Sequence, residues 1–293
     1  MTILNASGCL DALTAPEVAR SLDAFVTKTV TPLVRVGNAP VRIAETDHGM
    51  LNSIGLANPG IDRFLAEHLP RLVELGVPIW VSVGGFSAAE YADLCARLGE
   101  RPEIAVLELN VSCPNVAEPA ESAAEIVRAA RAETSKPLYA KLSPAVPDVG
   151  AVASAAAGAG ADGLTLVNTI RGLVLDERTL RPVLSTAAGG YSGPALRPIA
   201  LAAVLAAYRA SGLPIVGVGG VENGRHALEF IVCGASAVAL GTVLFTDPGA
   251  PERVRAELAA EAAALGLANP LDARGIALTG GLESLPRLTK YVN

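Results

Sequence analysis

A chain of 293 residues, 51% hydrophobic, 18% charged and 4% aromatic, is long enough for one large core or two modest ones. A formal charge of -6 without any Lys/Arg cluster argues against a nucleic-acid partner, and no apolar stretch reaches the length of a membrane span. The start, Met1-Thr2-Ile3-Leu4-Asn5, lacks the basic region and apolar core of a signal peptide, and Cys9, Cys95, Cys113 and Cys233 form no CxxC pair or zinc set, so the expectation is a cytoplasmic chain with reduced thiols and no metal.

In chain order, short runs rich in Val and Ile recur that seldom alternate with polar residues, as strands covered on both faces do in parallel sheets. They are Ile3 to Ala6, Ala24 to Thr27, Ile79 to Val83, Val106 to Leu109, Leu138 to Ala140, Gly163 to Val167, Ile215 to Val218 and Ala237 to Leu240. Helical spacing fills most of the gaps. One helix is predicted after Asp62, as its cap, towards Gly76; another runs from Ser87 to Gly99, and a third from Ser122 to Glu133. Segments 148–160, 195–211, 224–233 and 251–265 repeat the pattern, and Gly158, Gly212 and Gly234 stand where helices should stop. Eight strand–helix units over this length predict an α/β TIM (β/α)8 barrel, with residues 1–293 as a single domain. A doubly wound open sheet is the alternative. The connection from Val30 to Pro78 is too long for one crossover and must carry an insertion between strands 2 and 3.

A TIM barrel builds its active site at the carboxyl ends of its strands. Those positions here carry Ser7-Gly8, Lys28-Thr29, Ser82-Val83-Gly84-Gly85, Asn110 with Cys113, Lys141, Asn168-Thr169, Gly219-Gly220 and Gly241-Thr242. A lysine ending a buried strand is desolvated unless something anionic faces it, although it can also snorkel to solvent. The glycines after the last two strands, with Gly189-Gly190-Tyr191-Ser192-Gly193-Pro194, suit a phosphate approaching backbone N–H groups at helix starts. The stretch Glu108-Leu109-Asn110-Val111-Ser112-Cys113-Pro114-Asn115 places two amides, a hydroxyl and a thiol where a buried strand opens into a loop. On its own it is equally a small buried cysteine beside an ordinary Pro-Asn turn.

From about Leu4 to about Asp247 the chain resembles the class 1 dihydroorotate dehydrogenases, soluble FMN flavoproteins of pyrimidine biosynthesis. The resemblance rests on Asn110-Val-Ser-Cys-Pro-Asn115, Asn52-Ser-Ile-Gly-Leu-Ala-Asn-Pro-Gly60, Asn168-Thr169, Gly190-Tyr-Ser-Gly-Pro194, and the Gly219-Gly220 and Gly241-Thr242 corners. It implies FMN across the barrel mouth, its phosphate on Gly193, Gly219, Gly220, Gly241 and Thr242. Ser7, Lys28, Thr29, Asn110, Lys141 and Val167 would line the ribityl chain and ring. It further implies dihydroorotate, the precursor of orotate, held by Lys28, Asn52, Ser53, Ile54, Gly55, Leu56, Asn110, Asn115, Asn168 and Thr169, with Cys113 as the base. The segment Gly37 to Thr46, followed by Gly49-Met-Leu-Asn52, looks most like the NAD-linked subclass, which works with a second subunit carrying FAD and an iron–sulfur cluster. A homodimer or heterotetramer would follow.

The residue chemistry suits such a ligand. Asparagines offer donors and acceptors to a planar ring of amides, Lys28 offers charge to a carboxylate, and a thiol near pKa 8.5 is a workable base. Two features depart from the family pattern: no plugging hairpin precedes the first strand, and the loop after Asn115 is short before the helix at Ser122. A paralogue acting on another cyclic amide, a cofactor-binding subunit without activity, and a lyase or aldolase using Lys141 as a Schiff base are the competing readings. His48, His68 and His226 read as surface or loop residues, Cys9, Cys95 and Cys233 as buried small hydrophobes, and Trp80 as packing. The tail from Leu265 carries no assignable chemistry.

Overall fold

The computed structural model describes residues 2–111 and 123–284. Its strands in chain order are β1 (Thr2–Asn5), β2 (Phe25–Val26), β3 (Ile43–Thr46), β4 (Gly49–Asn52), β5 (Ile79–Val83) and β6 (Ile104–Asn110). They continue as β7 (Leu138–Leu142), β8 (Gly163–Leu166), β9 (Ile170–Leu173), β10 (Ala188–Ser192), β11 (Ile215–Val218) and β12 (Ala237–Leu240). The helices are α1 (Pro16–Arg20), α2 (Gly60–Arg63), α3 (Leu69–Val73), α4 (Ala88–Gly99), α5 (Ala123–Glu133), α6 (Val149–Gly158), α7 (Arg197–Ser211), α8 (Gly224–Val232) and α9 (Ala250–Ala264). None of the described helices is long and apolar enough to cross a membrane.

Eight strands form one parallel sheet in the order β1-β12-β11-β8-β7-β6-β5-β2. A parallel bridge between Leu4 and Ala24 brings its two ends together, so the sheet is a TIM barrel and not an open one. Strand β2 is only two residues long, and a side chain completes its pairing: the Asn5 amide donates to Val26 O at 2.8 Å and accepts from Val26 N at 2.8 Å. That amide copies a missing rung of the ladder.

Burial of both faces explains why the runs are mostly apolar. Outward residues such as Ile3, Val81, Leu107, Leu138, Leu164 and Ile215 pack with Leu94, Ile126, Val204 and Phe230 of the surrounding helices. Inward residues Leu4, Val26, Val216, Val218, Ala237 and Ala239 fill the barrel, with the Trp80 and Tyr139 rings, 4.8 Å apart and tilted by 54°, packed against them. Burying each such side chain contributes roughly 1.5–3 kcal/mol before conformational entropy is counted.

The eight predicted strands and the helices between them are present, with ends displaced by a residue or two. Ser87, Asp148 and Asn223 cap α4, α6 and α8 by accepting from Glu90 N, Ala151 N and His226 N. Gly212 closes α7 in the left-handed conformation at φ 66°. One expectation is corrected: Asp62 is not a cap, because α2 already starts at Gly60, whose N–H donates to Asn58 Oδ1. Helix α6 stops at Gly158 as expected, and the chain turns at Gly160.

Over the mouth lies a four-stranded antiparallel sheet in the order β3-β4-β10-β9. Its first hairpin is the expected insertion. The second, from the connection after β8, was not anticipated, because Gly172, Gly189 and Gly190 interrupt any apolar run there. The segment after α9 docks beneath: the Arg274 guanidinium donates to Gly234 O and Leu213 O and lies 4.8 Å over the Tyr208 ring.

Candidate active site

Barrel strand ends and the small sheet enclose a cavity of about 220 Å³ at the mouth. Three groups of residues converge on it. The first is a corner of backbone. Gly193, Gly219 and Gly220 line the cavity at φ of 112°, 130° and 72°, conformations open to glycine alone at little cost. A Cβ on Gly220 would stand 2.9 Å from Gly193 O and 3.0 Å from Pro194 O, so the two loops touch backbone to backbone. Gly241 and Thr242 complete the corner, and the Thr242 hydroxyl donates to Ser192 Oγ at 2.9 Å. Gly193 sits just ahead of the turn leading into the 15-residue α7, at the positive end of its dipole.

The second group is a chain of side-chain hydrogen bonds across four strand ends. Ser82 and Thr29 share one at 3.0 Å, Asn110 Nδ2 donates to Thr29 Oγ1 at 3.2 Å, and Asn168 Nδ2 donates to Asn110 Oδ1 at 3.1 Å. The Thr169 N–H then donates to Asn168 Oδ1 at 2.9 Å. Each amide is thereby held in one orientation, with its remaining capacity directed by its neighbours.

The third group is the loop over the site. Asn52 ends β4 and donates to Gly190 O at 3.2 Å; Ile54, Gly55 and Leu56 follow it over the cavity. Leu56 holds φ 56° without being glycine. Asn58 clamps the loop: Oδ1 accepts from Thr31 N and Gly60 N, and Nδ2 donates to Thr31 Oγ1 and Leu56 O.

Two lysines face the same space. Lys141 lies inside the barrel at 6% exposure. Lys28 crosses Gly8, where an added Cβ would meet its Cδ and Nζ at 3.0 Å. Of the residues singled out by sequence, Ser82 stands behind Thr29, whereas Ser7, Thr29, Val167, both lysines, Asn52, Ile54 to Leu56, Asn110, Asn168, Thr169 and the glycine corner with Thr242 line the cavity. Ser53 does not: it is buried beneath the loop, where its hydroxyl meets Thr186 Oγ1 at 2.6 Å and accepts from Asn38 Nδ2. Cys113 and Asn115 lie outside the described residues.

Sequence reasoning missed Ile43, Met50, Ser192, Leu196 and Phe245. Alternation along β4 offered a signal for Met50, which shares a face with Asn52. Cys9, read as a buried hydrophobe, lines the cavity; burial pushes its thiol up, against the pull of Lys141 and Lys28. His226 is no surface residue either. Its Nδ1 accepts from Glu222 N at 3.3 Å beside the glycine corner, and burial, with Arg197, holds its pKa below the ordinary value.

A family model described as dihydroorotate dehydrogenase matches residues 2–261. The dihydroorotate dehydrogenase B (NAD(+)) catalytic subunit of Desulforudis audaxviator is 49% identical over 245 residues, 81% of this chain and 80% of that protein. The subunit of the same description from Listeria monocytogenes is 41% identical over 283 residues, 92% of each chain. A crystal structure described as DHODH in complex with ferulenol, from Eimeria tenella, has the same fold, with a TM-score of 0.79 at 23% identity over 98% of this chain and 86% of that one.

Proposed function

Because the chain belongs to the dihydroorotate dehydrogenase family, we propose that it oxidises (S)-dihydroorotate to orotate with FMN as its resident cofactor. The observation that carries this reading is the meeting, in one cavity, of a glycine corner, a fixed relay of amides and two lysines. The corner fits a phosphate, since Gly193, Gly219, Gly220 and Gly241 line the cavity with no side chain in the way and α7 turns its positive end there. Gly193, Gly219, Gly220, Gly241 and Thr242 would hold that phosphate, and Ser7, Thr29, Lys141 and Val167 the rest of the group. FMN, when bound, supplies hydride-accepting chemistry.

The chain's own residues do the remaining work. Lys28 faces the substrate carboxylate, and Asn52, Asn110, Asn168 and Thr169 read the ring's donors and acceptors. The loop Ile54 to Leu56 covers the ring and excludes water. Cys113, as thiolate, takes the proton from C5 while C6 gives up hydride, leaving a C5–C6 double bond and a neutral thiol. The sequence resemblance gives Asn115 a part in holding the substrate. Electrons then leave to NAD through a second subunit, as the words NAD(+) and catalytic subunit in the relatives' names suggest; the sequence resemblance implies that this subunit carries FAD and an iron–sulfur cluster. Schiff-base chemistry on Lys141 would leave the amide relay and the glycine corner without a use.

Anaerobic mixing with dihydroorotate tests this directly. Wild-type protein should be yellow and bleach, whereas Cys113→Ala should keep its colour at neutral pH. Equal bleaching rates for the two would remove Cys113 from the mechanism.

A further inference from the structure

Beneath the cavity, inside the barrel, lies a group that the proposed chemistry does not use. Register pairs Glu108 with Tyr139 and Asn110 with Lys141 across β6 and β7, and Lys141 with Thr165 across β7 and β8. Tyr139 packs into the inner core, so alternation turns Glu108 and Lys141 inward as well. Glu108 is 2% exposed, and its Oε1 stands 3.9 Å from Lys141 Nζ. That separation exceeds a hydrogen bond, and Oε1 has no hydrogen-bond partner among the described residues. The Thr165 hydroxyl, inward beside them, lacks one too.

A packed barrel interior is ordinarily filled with branched apolar side chains. Replacing a buried ion pair by such residues is often neutral or stabilising, so this pair is poorly explained as a device for stability. Its position suggests a different use. Lys141 lines the cavity floor, and Glu108 lies behind it.

We propose that Glu108 is a positioning residue that acts through Lys141: it tethers the ammonium from below and offsets its charge, and so sets the reduction potential of the flavin above. This rests on FMN being the resident cofactor. Reduction places more negative charge in the cavity, so the positive charge left by Lys141 and Glu108 together decides how much more tightly reduced flavin is held than oxidised flavin. In a poorly solvated interior that difference is weakly screened.

The test is the midpoint potential of the bound flavin in holoenzyme variants, by spectroelectrochemical titration. Glu108→Gln should raise the preference for reduced over oxidised flavin at least tenfold, an upward shift of about 30 mV for a two-electron couple. Glu108→Asp, which keeps the charge, should stay within about twofold of wild type. In a Lys141→Met background the same Glu108→Gln change should alter the preference less than about twofold, since its effect passes through the lysine. If Glu108→Gln loses flavin on purification, titrating its apo-protein with oxidised and with reduced FMN gives the same ratio. An unmoved or lowered potential in Glu108→Gln, or an equal shift with and without Lys141, overturns the assignment. A wild-type protein that takes up no FMN overturns the proposed function itself.

Discussion

Asn110 is the residue on which the site turns. It ends β6, where the buried run that placed it stops, and it works in three directions. Its Nδ2 donates to Thr29, its Oδ1 accepts from Asn168, and its carbonyl accepts from the Tyr91 hydroxyl at 2.7 Å. Removing the amide takes one hydrogen-bond partner each from Thr29 and Asn168 in a partly buried place, and breaks the relay between them. Asn110→Ala should therefore lower kcat/KM for dihydroorotate about 100-fold, the scale of a misplacement near 1 Å, and should reduce flavin content as well. Steady-state kinetics and the ratio of flavin to protein absorbance would check both. The type of residue was legible in the sequence, because an amide directly after an apolar run faces a barrel mouth. Its partners were not, since Thr29 and Asn168 lie 81 and 58 positions away.

Among the elements, the loop from Asn52 to Gly60 shows how backbone strain is held in place. Leu56 occupies a left-handed conformation that a branched side chain resists, at a cost on the order of 1 kcal/mol or more. The buried Asn58 amide, with four hydrogen bonds to Thr31, Leu56 and Gly60, holds the loop in that shape. Asn58→Ala would strand those groups, and the penalty for unmet buried partners suggests a loss of about 3 kcal/mol in urea unfolding. KM for dihydroorotate should rise while flavin stays bound, because the glycine corner belongs to other loops. An unchanged KM would detach this loop from substrate binding. The sequence placed the loop over the site through its resemblance to a family, but the clamp follows from the fold: Thr31 and Asn58 meet only because the insertion doubles back.

For the molecule as a whole, acid stability and electron exit are the two tests. His226 packs where α8 begins, and its pKa lies below the ordinary 6.5 because burial and then Arg197 disfavour the charged ring, outweighing Glu229 and Glu222. The unfolded chain therefore takes up the proton more readily than the folded one. This contribution is whole above pH 6.5 and is lost as pH falls from there towards the lower folded value. The drop in Tm between pH 7 and pH 5 should be smaller in His226→Gln than in wild type. The second test concerns partners: purified chain should reduce its flavin with dihydroorotate yet leave NAD untouched until the electron-transfer subunit is added. What the sequence by itself determined was the barrel and the chemistry at its rim. Strands buried on both faces are mostly apolar, so eight such runs stood out, and the polar or glycine residue ending each was marked as facing the mouth. Only the tertiary structure decided the antiparallel sheet that joins residues 49–52 to 190–192, the Asn5 amide that closes the barrel, and the Glu108–Lys141 pair beneath the cavity. Each depends on which distant strands share a register, and local periodicity carries no record of that.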